Sequence, residues 1–161
     1  MADAATISVT ATMLPDEIAK TITGSMTVTP SDANHKWYYK LTSVTNSSND
    51  LIGGYYSNYT ALADGTAPQT IATGDTIAFL WIQNTDASNA VYINPAAGTA
   101  AAATGNIYIG AGETWYARLT TTTVAAVHAI SSASTVTCIA VSYTHLRAHE
   151  TDSYLVCRLL L

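Results

Sequence analysis

Hydrophobic and polar residues alternate along the first part of the chain. From Thr6 to Met13, apolar side chains at every second position are separated by Thr and Ser, and the same period continues over Ile18–Thr29 and His35–Val44. A period of two is typical of β-strands with one buried face. We predict three strands over these ranges, with the first two joined into a hairpin by a turn at Pro15 and Asp16.

Shorter apolar segments follow at near-regular spacing. The segment Thr76–Gln83 is apolar at most positions, as expected of a central strand covered on both faces. The Ala-rich stretch from Pro95 to Gly105 contains Gly and Thr but no helix-capping signal, which favours a loop. Further strands are predicted over residues 90–94, 106–109, 113–119, 124–130 and 135–140. We therefore predict an all-β fold, an antiparallel β-sandwich resembling a jelly roll, with about nine short strands.

The amino-acid composition limits the kinds of partner that we expect for this chain. The 161 residues are 48% hydrophobic and only 11% charged, which suits one domain. Thr, Ser, Ala, Tyr and Trp are abundant, whereas Lys, Glu, Arg and Leu, which are typical of helix surfaces, are scarce. Six Lys and Arg against eleven Asp and Glu give a net charge of -5, which argues against a nucleic-acid partner. Neither a signal peptide nor a transmembrane segment is recognisable, so we expect no membrane association.

Residues 141–161 differ in texture from the rest of the chain. The segment VSYTHLRAHET (141–151) resembles the translation of a transposase-type sequencing adapter, and YLVCRLLL (154–161) resembles the translation of the flow-cell sequence that follows it. The interval between them has the length of a sample index read in the same frame. We therefore expect residues 1–140 to be the natural domain, lacking its natural C-terminus, and residues 141–161 to be an adapter-derived tail.

This interpretation changes the candidate chemistry of the chain. As a genuine C-terminal helix, the tail would place His145 and His149 on one face, at a spacing that suits a metal. Without the tail, Cys157 is lost and Cys138 has no partner for an intramolecular disulfide.

No catalytic, cofactor-binding or metal site is expected in the natural part. His35 and His128 lack Cys or Glu partners at ligand spacing, and no nucleophile-elbow motif occurs. The segment Gly110–Glu113 lies between two predicted strands, so it is interpreted as a turn rather than a phosphate-binding loop. Turn roles are likewise predicted for Asp64, Asp75 and Asp86.

Aromatic residues form the most suggestive pattern. Adjacent aromatics in a strand point to opposite faces, so either Trp37 and Tyr39 or Tyr38 face outward, and the same choice applies to Trp115 and Tyr116. Outward Tyr side chains suit protein interfaces or stacking on a sugar ring, whereas ordinary packing is the alternative. The candidate interaction surface comprises Tyr38, Tyr55, Tyr56, Tyr59 and Tyr116.

Several segments carry a family resemblance. NIYIGAGETW (106–115), VAAVHAI (124–130) and VTCIA (136–140), in a short β-sandwich, resemble small virion structural proteins of tailed phages over about residues 6–140. The resemblance implies a non-enzymatic role in capsid decoration, the neck or the tail, in a virion assembled in the host cytoplasm. It implies a homo-oligomer whose partners are itself or other virion proteins, with no catalytic residue to carry over.

Two other classes of function stay open. The first is a carbohydrate-binding module that would bind a glycan by stacking on Tyr55, Tyr56 and Tyr59. The second is an enzyme, which ranks last because no polar constellation is recognisable in the sequence.

The adapter interpretation predicts that long-read resequencing of the source DNA across codon 140 will replace residues 141–161 with a different C-terminus. Under the phage interpretation, capsid, portal or tail genes should flank the locus. If the tail persists in the native gene, the adapter interpretation is wrong, and His145, His149 and Cys157 become candidate ligands.

Overall fold

The computed structural model describes residues 4–13, 20–29, 35–52, 74–96, 98–102 and 107–145. These residues contain ten β-strands and one short 3-10 helix, which confirms the predicted all-β fold. The chain divides into two compact units, residues 1–35 and 36–161. The described residues include no helix with the length and hydropathy needed to cross a bilayer.

The first unit contains a long β-hairpin. Strands β1 (Ala5–Met13) and β2 (Lys20–Val28) pair antiparallel in unbroken register, which confirms the predicted hairpin. The predicted turn at Pro15 and Asp16 lies outside the described residues. Cross-strand pairing places every Ser and Thr of the two strands on one face: Thr6, Ser8, Thr10 and Thr12 oppose Thr27, Ser25, Thr23 and Thr21. The opposite face carries the apolar residues together with Lys20 and Gly24, so the hairpin is amphipathic.

The second unit is built from eight strands. The first of these strands begins at His35, which is the last residue of the first unit. They are β3 (His35–Val44), β4 (Asn49–Asp50), β5 (Thr76–Asn84), β6 (Val91–Asn94), β7 (Ile107–Ile109), β8 (Thr114–Arg118), β9 (His128–Ser131) and β10 (Val136–His145). They form two four-stranded sheets with the orders β3-β10-β5-β8 and β4-β9-β6-β7.

This strand order is that of a jelly roll. Strand β6 pairs with β7, and outward from that hairpin β5 pairs with β8, β4 with β9, and β3 with β10. The chain is therefore one long nested hairpin, in which successive strand pairs fall alternately into the two sheets. Eight strands folded in this way make the double-sheet jelly roll predicted from the sequence.

Side chains from both sheets share one apolar core. The sheet that contains β5 and β10 contributes Leu80, Ile82 and Ala140, while the other sheet contributes Val91 and Ile93. All five are 0% exposed. Because each sheet buries one face against the other, the two sheets are the layers of a β-sandwich.

Two predicted boundaries change in the structure. The predicted strand 124–130 is wrong in its first half, because Val124–Ala126 form a 3-10 helix and β9 begins only at His128. The backbone N–H of Val124 donates to the carbonyl of Asp75 (2.8 Å), which anchors this turn. After β3 the structure adds the two-residue strand β4, which the alternation does not predict and which pairs with β9.

Strand β10 continues past Ala140, through the boundary of the expected tail. Val141 pairs with Trp81, and the ladder to β5 runs on to His145. Ser142 faces the core, where its hydroxyl is buried with no hydrogen-bond partner among the described residues. Such a buried hydroxyl costs about 1–3 kcal/mol of unfolding free energy.

A buried amide organises the loops at one end of the sandwich. The Nδ2 atom of Asn84 donates to the carbonyl oxygens of Asn89 (2.8 Å), Ile109 (3.3 Å) and Gly110 (2.9 Å). Its Oδ1 atom accepts the backbone N–H of Asp86 at 3.0 Å. Asn84 thus joins the β5–β6 and β7–β8 connections.

The two connections carry their own turn chemistry. The Asp86 carboxylate accepts the backbone N–H groups of Asn89 (2.7 Å) and Ser88 (2.8 Å), and both bonds lower the pKa of Asp86. Glu113 accepts the N–H of Gly110 at 2.7 Å. These contacts confirm the turns predicted at Asp86 and over residues 110–113.

Replacing Asn84 with Ala should lower the free energy of unfolding by about 3 kcal/mol, because the carbonyls of Asn89, Ile109 and Gly110 would each lose the hydrogen bond that the Asn84 amide donates. Urea denaturation followed by tryptophan fluorescence measures this loss. The matched control is Gln83→Ala, at the neighbouring half-buried position, with an expected loss below about 1 kcal/mol. Equal losses in the two variants would contradict the role of the Asn84 amide.

Candidate interaction surface

The outer face of the sheet β3-β10-β5-β8 carries large aromatic side chains. On β5, Leu80 and Ile82 point into the core, so Trp81 points to the opposite side. Tyr116 of β8 is its cross-strand partner, and the two rings stack with centroids 5.4 Å apart and planes at 16°. Trp115 packs against the core instead. Of the two orientations left open by the sequence, the structure has Trp115 inside and Tyr116 outside.

A second aromatic cluster lies further along the same face. The Trp37 ring is 5.9 Å from Phe79 in an edge-on arrangement and 4.9 Å from Tyr143. Phe79 and Tyr143 are cross-strand partners and only 2% and 3% exposed, although both lie outside the shared core cluster. The rings of Phe79 and Tyr143 are therefore almost completely shielded from solvent on the outer face.

Two large side chains on the edge strand β3 remain exposed. Tyr39 is 52% and Leu41 57% exposed, whereas the alternate residues Thr42 and Val44 are buried. By this alternation, Tyr39 and Leu41 lie on the same face as Trp37. We call this surface the aromatic face and define it by five residues: Trp37, Tyr39, Leu41, Trp81 and Tyr116.

The predicted interaction residues fall into two groups. Tyr116 lies in the aromatic face, as an outward tyrosine. The side chain of Tyr38 and all of Tyr55, Tyr56 and Tyr59 lie outside the described residues. The proposed contribution of these four tyrosines to an interaction surface therefore stays a prediction.

Sequence reasoning did not select the other four residues of the aromatic face. The i, i+2 spacing of Trp37, Tyr39 and Leu41 was the available signal, since it places all three on one side of β3. Trp81 was harder to assign, because β5 is apolar on both faces.

The other sheet exposes a smaller aromatic pair on its outer face. Tyr108 of β7 is 59% exposed and lies opposite Tyr92 of β6. Their rings meet edge to face, with centroids 5.5 Å apart and planes at 64°. Ile130 of β9 is the partner of Tyr92 on its other side. We call Tyr92 and Tyr108 the tyrosine pair.

Candidate catalytic and metal-binding chemistry is sparse in the described part of the chain. His128 is half-buried on β9, opposite Asp50 of β4 and Asn94 of β6. Within the described ranges, no group of three or more His, Cys, Asp or Glu residues is arranged to hold a metal. Burial raises the pKa of the Cys138 thiol to about 12, and the negative charge of Asp86 adds to the rise.

Comparison with known proteins adds no assignment, because no protein-family model, curated protein or solved structure matches this chain. A functional proposal for this chain therefore rests on the nested strand order and on the outer faces of the two four-stranded sheets.

The raised pKa of Cys138 predicts an inert thiol. In a Cys157→Ser variant, the native protein should not react measurably with a disulfide reagent at pH 8, while the protein unfolded in guanidinium should react fully. The physical reason is that the thiolate is the nucleophile, and burial suppresses both its formation and its access to the reagent. A native rate close to the unfolded rate would contradict the buried placement.

Proposed function

We propose that this chain is a non-enzymatic structural protein of a tailed-phage virion, in a capsid-decoration, neck or tail-associated position. Its nested eight-strand order supports the proposal, because double-sheet jelly rolls recur in viral capsid domains. One fold can host several functions, so the proposal also rests on the residues that the protein exposes at its surface.

The aromatic face is the observation that carries the proposal. Tyr39 and Leu41 are more than half exposed beside the half-buried rings of Trp37, Trp81 and Tyr116. Exposed apolar side chains that lie on one face mark interaction sites, and Trp and Tyr are among the side chains most enriched at the energetic centres of interfaces. The five residues themselves carry no charge, so a contact through them would bury apolar and aromatic surface.

Symmetric assembly allows a weak contact through the aromatic face to hold a particle together. A single contact of modest area is weak, but a particle repeats the same contact many times and holds each copy by several of them. The low charge of the chain fits this role, since only 11% of its residues are charged. The partners proposed are further copies of the chain or other virion proteins.

A carbohydrate-binding module is the second candidate. The tyrosine pair, in which Tyr108 is exposed and Tyr92 half-buried, favours it, because lectin domains share the double-sheet jelly roll and Tyr rings can stack on sugars. A Tyr92→Ala, Tyr108→Ala variant should then lose glycan-array binding that a Tyr39→Ala variant retains. An activity that His128→Ala abolishes would instead favour an enzymatic role.

Particle proteomics tests the virion proposal. Density-gradient-purified particles from the sample that supplied the gene should contain the tryptic peptide 21–36, TITGSMTVTPSDANHK. Its abundance should follow that of capsid peptides across the gradient. Recovery of the peptide only in the fractions free of particles would contradict a virion role.

A further inference from the structure

The hairpin of the first unit has two long strand edges. Strands β1 and β2 form a two-stranded sheet of nine residue pairs, so neither outer edge has a neighbouring strand among the described residues. Unpaired edges present rows of backbone N–H and C=O groups that can pair with another chain. An isolated two-stranded hairpin is also only marginally stable in water, which favours a further partner.

Strand β1 lacks the features that usually block edge pairing. Natural edge strands are protected by charged side chains, Pro, bulges or shortness. The nine residues of β1, ATISVTATM, include no charge and no Pro, and their register with β2 is unbroken. Strand β2 differs because it carries Lys20. The outer edge of β1 is therefore the more permissive of the two.

The sequence of β1 is also compatible with pairing to itself. Antiparallel pairing about a two-fold axis at Val9 would set Ala5 opposite Met13 and Ile7 opposite Ala11. Odd positions would meet odd positions, so the apolar face and the Ser/Thr face would each continue across the junction. Val9 is 36% exposed, and Ile22 on the same face of the neighbouring strand is 53% exposed.

We propose that the outer edge of β1 pairs antiparallel with β1 of a second copy of this chain, forming a four-stranded intermolecular sheet. A second copy is the partner that offers the same length, the same alternation and no charge to desolvate. The inference rests on the proposed function, because it names one contact through which copies assemble. It is separate from the aromatic face, which lies in the other unit.

Sedimentation velocity over a concentration series tests the proposal. The full chain should show a reversible monomer–dimer equilibrium, and a Ser8→Lys, Thr10→Lys variant should raise its dissociation constant at least tenfold. Around the two-fold axis, position 8 of one copy faces position 10 of the other, so four lysines would lie within cross-strand distance. The matched control is Thr23→Lys, Ser25→Lys, which places the same charges on the same face of β2, with an expected change below threefold.

Cysteine cross-linking provides a readout that does not depend on charge. A Val9→Cys variant should form a disulfide between the introduced thiols of two copies on mild oxidation, since the Cβ atoms of directly opposed residues lie close enough for a small backbone adjustment to join the thiols. An Ile22→Cys variant, altered on β2, should not. Peptide mapping distinguishes these products from any disulfide of Cys138 or Cys157.

Three results would overturn the edge pairing: a monomer at every concentration, a dimer weakened equally by both lysine pairs, or no disulfide between copies of the Val9→Cys variant. These failures are distinguishable from failure of the virion proposal. A chain that bands with particles but shows no β1 pairing keeps its proposed function and loses this inference. A chain that dimerises through β1 but never bands with particles does the reverse.

Discussion

The burial of aliphatic side chains between two sheets is the interaction on which the rest of the structure depends. Leu80 and Ile82 of one sheet and Val91 and Ile93 of the other are fully buried together. Each such side chain contributes about 1.5–3 kcal/mol of hydrophobic free energy. Because alternate residues of a strand point to opposite faces, this core also forces Trp81 outward. The aromatic face is thus a consequence of how the core is filled.

The sequence predicted most strands because their alternation reflects this two-faced burial. It failed where alternation carries no information. Asn49–Asp50 is too short to show a period, and its pairing with β9 depends on residues far along the chain. The run 124–130 is apolar because both Val124 and Val127 are buried, one in a 3-10 helix and one just after it. An apolar run alone does not distinguish a strand from a buried turn.

The direction in which a side chain points was harder to predict from the sequence than which residues are candidates for an interaction surface. Tyr116 was identified as a candidate from its sequence, but the inward or outward choice on β3 was open because aromatic residues stand at consecutive positions. Between β10 and β5, a register irregularity at Tyr143 and Thr144 shifts the alternation, so Ile77 and Leu80 both reach the core. Such a bulge changes which side chains share a face, and no feature of the sequence marks its position. The nested pairing of eight strands likewise depends on contacts between distant segments.

The central claim is that the aromatic face is a contact surface in an assembled particle. Hydroxyl-radical footprinting of Tyr39, compared between the isolated protein and purified particles, tests it most directly, because this ring is 52% exposed in the isolated chain. We expect strong labelling of Tyr39 in the isolated protein and protection in the particle, with Tyr108 on the opposite sheet as the internal reference. Equal labelling of Tyr39 in both states would contradict the claim.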